Sequence, residues 1–248
     1  MTTAMNHPRL ERARRVGTAL AMMSFPPLFA AIFAMHPHLL AFKPLLTLDD
    51  WTGRFHGRPL LHAAHAVMTL AVPLLVVTAF HFAHVLRGRG AWLGWIGGAM
   101  AVVGAVILAA DKGALCLVAS AFDRLPEADY QALRPGLAAM HAREGWLALL
   151  WLLPLLPVGF AVQGVGLLRE GLVGRAQGAA FILGSLLLAN PDIEALSLIA
   201  SLLLTAALWP YGLELLRNPR RGDRAEVVNS PLASPTSGQL SSAGASAH

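Results

Sequence analysis

Long apolar runs separated by short polar turns constrain this chain more than any other feature. They cover about 16–35, 60–86, 91–121, 137–168, 172–188 and 193–216. About 20 residues of helix, at 1.5 Å of rise each, cross about 30 Å of hydrocarbon. In lipid every backbone N–H and C=O needs an internal partner, so runs of this length are expected to be helical. The charge content agrees, at 13% against roughly 25% for a soluble domain. The reading is all-α: a polytopic membrane protein, a bundle of six transmembrane helices with the lipid bilayer as its main partner. Pro26, Pro27, Pro73, Pro154 and Pro157 fall inside the runs. Neighbouring groups can satisfy the carbonyls they free, so they read as kinks and not as boundaries.

The domain reading is a basic N-terminal segment, 1–15, a transmembrane domain, 16–217, and a tail, 218–248. The tail is rich in Pro, Ser, Gly and Ala. Such a composition cannot bury a core, and disorder is expected there. A basic segment before an apolar run also fits a cleavable signal peptide, but this run is long and carries a proline pair in its middle.

Basic residues gather on alternate turns. One set is Arg9, Arg12, Arg14 and Arg15, then Arg87 and Arg89, then Arg169 and Arg175, then Arg217, Arg220, Arg221 and Arg224. The opposite turns carry the smaller set of Lys43, Arg54, Arg58, Arg124 and Arg134. This positive-inside pattern puts both termini in the cytoplasm. The formal net charge of +5 is thus a matter of topology, and no nucleic-acid partner is expected. Arginine supplies all the basic residues except Lys43 and Lys112, a bias expected of a GC-rich bacterial genome and hence of a bacterial plasma (inner) membrane. The single cysteine, Cys116, excludes an intrachain disulfide and reads as a small buried hydrophobe.

Ionisable residues collect at one depth. Counted from the cytoplasmic end of each run, Asp111 lies about 27 Å in, His65 and His62 about 32 and 36 Å, and Glu144 and His141 about 36 and 40 Å. His62 and His65 share a helix face, as do His141 and Glu144. Asp111 and Lys112 are adjacent and should diverge by about 100°. Asp49, Asp50 and His56 in the first external loop and Asp192 and Glu194 in the last external turn lie on the same side.

Several readings of this cluster stay open. The five residues His62, His65, Asp111, His141 and Glu144 would suit a ligand or a divalent metal, and a bound metal could activate water in a membrane-embedded enzyme. They would also suit the entrance of a small-solute, ion or proton transporter, continued by Ser197, Ser201 and Thr205 on the last helix. In a structural subunit, Asp111 would pair with Arg143 and Lys112 with Glu144, fastening two helices. A haem would need His62 or His65 to face His141. The inner pair His81 and His84 has no counterpart at its level, which disfavours a two-haem cytochrome. Gly94–Gly98 and Gly174–Gly178 have GxxxG spacing, which supports a compact bundle or a homo-oligomer. No HExxH, GxSxG, Walker loop or dinucleotide fingerprint is present. Function therefore reads as an integral membrane protein of undetermined activity with a polar cluster at its outer boundary.

Overall fold

The computed structural model describes residues 8–36, 39, 42, 44, 47–190 and 192–218. The tail expected to be disordered lies outside these residues except for Asn218. The described residues form helices and turns. In chain order these are α1 (Pro8–Ala34), α2 (Leu48–Phe55), α3 (Pro59–Val85) and α4 (Ala91–Asp111). A π-helical segment (Lys112–Leu117) continues α4 into the short α5 (Val118–Ser120). Then come α6 (Glu127–Ala132), α7 (Arg134–His141), a 3-10 segment (Gly145–Leu152), α8 (Leu155–Arg169), α9 (Arg175–Leu187) and α10 (Glu194–Arg217).

Five stretches are long and apolar enough to cross a membrane: Arg9–Ala34, Pro59–Val85, Ala91–Ser120, Arg134–Arg169 and Glu194–Arg217. The run at 172–188 becomes α9, which has 13 residues and is therefore about 20 Å long. Gly171, at φ +67, turns the chain before it. At its other end the Asn190 side chain accepts from Ile193 N–H at 2.5 Å and closes the turn. α9 still carries the chain from the end of α8 back to the end where α10 begins.

The basic N-terminal segment is not separate from the first run. α1 starts at Pro8 and takes Arg9, Arg12, Arg14 and Arg15 into its first turns. Pro is well placed at a helix start because its missing N–H would have no partner there. Pro26 and Pro27 in α1, Pro73 in α3 and Pro210 in α10 lie inside their helices. The fourth run behaves differently. It breaks after His141, where Arg143 and Gly145 both take φ +56. It then tightens into the 3-10 segment and resumes as α8 after Pro154. The depths counted for His141 and Glu144 assumed one continuous α-helix and do not hold.

The main core runs between the long helices and includes Phe25, Phe29, Met68, Phe82, Phe160, Phe181 and Leu204. α4 and α8 approach at backbone distance. A Cβ on Gly97 would lie 2.6 Å from the Gly159 carbonyl, and one on Gly104 would strike the Leu156 backbone. Small residues permit this approach, and the Gly94–Gly98 pair belongs to the same region, against Leu86, Ala83 and Gln163. Gln163 is fully buried, and its Nε2 donates to Ala79 C=O at 2.9 Å and to Gly94 C=O at 3.1 Å. One amide thus joins α8 to α3 and α4. At the basic end Glu170 accepts from the N–H groups of Gly88 (2.7 Å) and Gly90 (2.9 Å). It caps the start of α4 from the turn after α8, where a helix N-terminus favours negative charge.

The opposite end is closed by a helical cap. α2 is amphipathic and puts Trp51, Arg54 and Phe55 inward. Thr47 caps it, accepting from Asp50 N–H at 3.1 Å and donating to the Asp50 carboxylate at 2.8 Å. Trp51, Phe55, Leu61, Leu115, Cys116, Tyr130, Leu137 and Leu150 form a second apolar cluster beneath α2, α6 and α7. Cys116 is a free, buried thiol within it.

Candidate functional site at the capped end of the bundle

Asp111 closes α4 and Lys112 opens the π-helical segment. Their side chains do not diverge. Lys112 Nζ lies 3.0 Å from Asp111 Oδ2, because the wider turn that starts at Lys112 reduces the angle between successive residues. Arg143 Nη2 stands 3.7 Å from Asp111 Oδ1. The Arg143 guanidinium also lies over the Trp151 ring, 4.5 Å from its centroid. One carboxylate, 3% exposed as a residue, thus faces two cations. The expected Asp111–Arg143 partnership is present. Lys112 meets Asp111 and not Glu144, which is exposed at the break after α7.

The other expected residues are divided among different neighbours. His62 Nε2 lies 2.8 Å from Asp123 Oδ2. The other Asp123 oxygen is 3.5 Å from His56 Nδ1. His65 is buried between two rings, His36 at 5.4 Å and Phe55 at 5.3 Å between centroids. His141 lies against Trp51, with centroids 6.0 Å apart. Among the described residues, no three of the His, Cys, Asp and Glu side chains converge as metal ligands. His62, His65 and His141 do not face one another across a gap either, so they do not have the arrangement a haem would need.

Four residues beyond the expected cluster complete this end. Arg54 Nη1 lies 2.9 Å from Glu194 Oε1, and both side chains are buried. Burial draws the Arg54 guanidinium below its ordinary pKa, while Glu194, Asp192 and Asp50 pull it back. His36 follows α1, and its Nδ1 lies 2.9 Å from the Ile32 carbonyl, to which it donates. Burial pushes the His36 pKa down to about 4, and Lys112 and Arg54 add to that against the Ile32 bond and Asp192. Its imidazole is therefore neutral at pH 7. Asp123 is the fourth. The sequence held signals for some of this. Thr47 and Asp50 form a capping pattern, and Trp51, Arg54 and Phe55 recur at helical spacing. Nothing local marks Asp123 or His36.

The Ser197, Ser201 and Thr205 row does not line a path. Ser201 donates to Ser197 C=O at 2.8 Å and Thr205 to Ser201 C=O at 2.7 Å, so both hydroxyls bond back into α10.

Long apolar helices that expose Trp92, Trp95, Trp146, Leu70 and Phe80 while burying Asp111, Arg54 and Glu194 define an integral, multi-pass membrane protein in contact with lipid. Comparison with protein-family models, with curated proteins and with solved structures finds no match.

Proposed function

We propose that this is a six-span protein of a bacterial plasma membrane with both termini in the cytoplasm, and that its capped, external end binds a small polar ligand. Arg9, Arg12, Arg14, Arg15, Arg87, Arg89, Arg169, Arg175 and Arg217 all sit at the uncapped ends of their helices, which supports the orientation. α9, with the turns that flank it, would make the remaining passage.

Asp111 carries the site reading. An ionised group at the membrane boundary costs free energy, and such groups mark ligand and ion sites more often than they serve packing. Asp111 also stands where α-helix gives way to π-helix, a geometry concentrated at functional sites. Its neighbours His36, Lys112 and Arg54 lie within electrostatic reach of one another. They come from the end of α1, from the π-helical segment and from α2.

A thermal-shift screen of the purified protein in detergent tests this, using amino acids, carboxylates, phosphate, sugars and divalent cations. A bound ligand raises the melting temperature. The expected result is a shift by one class that is lost in Asp111→Asn and His62→Gln. No shift by any class, or a shift unchanged in both variants, defeats the reading. A structural role is favoured by a separate observation: Arg54–Glu194 and Arg134–Asp49 both fasten α2 to neighbouring helices. That reading predicts variants that lose stability and no ligand response.

A further inference from the structure

We propose that Lys112 and Arg143 form a binding site for an anionic phosphate, carried by a phospholipid headgroup or by a free phosphate. This rests on reading the capped end as a ligand site and names the chemistry of the ligand.

The first argument is charge. Asp111 answers only one of its two cationic neighbours, Lys112 at 3.0 Å and Arg143 at 3.7 Å. The other acid in reach of Lys112 is Asp192, which acts on Arg54 as well. Glu144, next in sequence to Arg143, is exposed to water. One positive charge is left in excess beside a buried carboxylate, where solvent screens it weakly. A phosphodiester carries the single negative charge that would balance it.

The second argument is depth. Trp92 and Trp95 are 79% and 71% exposed near the start of α4 and mark one membrane interface. Lys112 follows Trp95 by about 26 Å of helical rise, close to the hydrocarbon thickness of about 30 Å. Its ammonium therefore stands at headgroup level on the far side. Trp146 and Trp151, 89% and 64% exposed on the 3-10 segment, mark the same level beside Arg143.

The third argument is access and shape. A Cβ on Gly113 or on Gly145 would meet nothing within 4 Å, so the approach beside each cation is open. Arg143 lies with its face over Trp151. A stacked guanidinium keeps its edge N–H groups free, and that planar fork matches phosphate oxygens. Lys112 would add a point charge to the same anion because both cations face one carboxylate.

The test measures the melting temperature of the detergent-solubilised full chain at constant ionic strength. Three additives are compared: phosphatidylglycerol, phosphatidylcholine and inorganic phosphate. Variants are the double change Lys112→Gln with Arg143→Gln, and Gly113→Leu, which fills the approach but keeps both cations and so guards against misfolding of the first. The expected result is a rise of several degrees with phosphatidylglycerol that is absent from both variants. A rise with inorganic phosphate as well assigns the site to phosphate in general, and none with it assigns the site to lipid. An equal rise with phosphatidylcholine, no rise with any additive, or a rise unchanged in Gly113→Leu overturns the proposal. If phosphate fails while another solute class stabilises the wild type and not Asp111→Asn, the phosphate assignment falls and the ligand site stands.

Discussion

Arg54 on α2 and Glu194 at the start of α10 form a buried ion pair, Nη1 to Oε1 at 2.9 Å, between a loop helix and a long helix of the bundle. Arg54 also carries the inward face of α2, with Trp51 and Phe55 beside it. Two charges buried together cost desolvation, which their attraction recovers only while both remain. The consequence is asymmetric. Arg54→Met or Glu194→Gln alone leaves one buried charge and is expected to destabilise by about 3–5 kcal/mol. The double change to Met at both positions should be close to neutral. Unfolding of the four proteins in detergent measures the cycle. Equal, additive losses would mean that the pair does not hold the cap.

Asp123 serves two histidines from the segment between α5 and α6, His62 at 2.8 Å and His56 at 3.5 Å. It therefore ties the chain after the π-helical segment to the top of α3. Asp123→Asn keeps the shape and removes the charge. A hydrogen bond to a charged group contributes about 1.5–3 kcal/mol, and a loss of that size is expected. His62→Gln should lose a similar amount, and combining the two should add little because they share the bond. Trp51 fluorescence, read with the other tryptophans replaced by Phe, is expected to report loosening of the cap.

The apolar runs were legible because lipid burial leaves a long, uniform pattern in the sequence. Their ends were less so. The run at 137–168 looks continuous, yet left-handed turns at Arg143 and Gly145 and two nearby prolines divide it into α7, a 3-10 segment and α8. The presence of acids and histidines at one level was also legible. Their partners were not. Which carboxylate meets His62 depends on how the segment at 121–126 folds across α3, and no periodicity encodes that. Lys112 illustrates the point. Ideal helix geometry separates it from Asp111, and one π turn brings them together at 3.0 Å.

Glycines at α4 and α8 set a third expectation. A Cβ on Gly104 would overlap the Leu156 backbone, and one on Gly159 would lie 2.5 Å from the Gly97 carbonyl. Backbone cannot yield as a side chain can. Gly104→Ala or Gly159→Ala is expected to destabilise by at least the 1–3 kcal/mol or so typical of overpacking. Gly113→Ala, in open space, should change stability by less than about 0.5 kcal/mol. Resistance to SDS unfolding compares the three, and equal behaviour would contradict the close approach of α4 and α8.

His36 gives a pH dependence with a definite sign. Its pKa falls from the ordinary 6.5 to about 4 because it is buried beside Lys112 and Arg54. The unfolded chain therefore binds a proton between those values that the folded chain does not. Stability from this group is fully present above pH 6.5, is lost progressively as pH falls toward 4, and does not change further below it. A gap of this size corresponds to about 3 kcal/mol. His36→Phe keeps a ring against His65 and removes the titration, so its stability should lack this contribution to the loss between pH 6.5 and 4. Thermal unfolding of both proteins across that range checks it. A wild type and variant with the same slope would mean that the neutral imidazole of His36 does not govern the acid sensitivity of the cap.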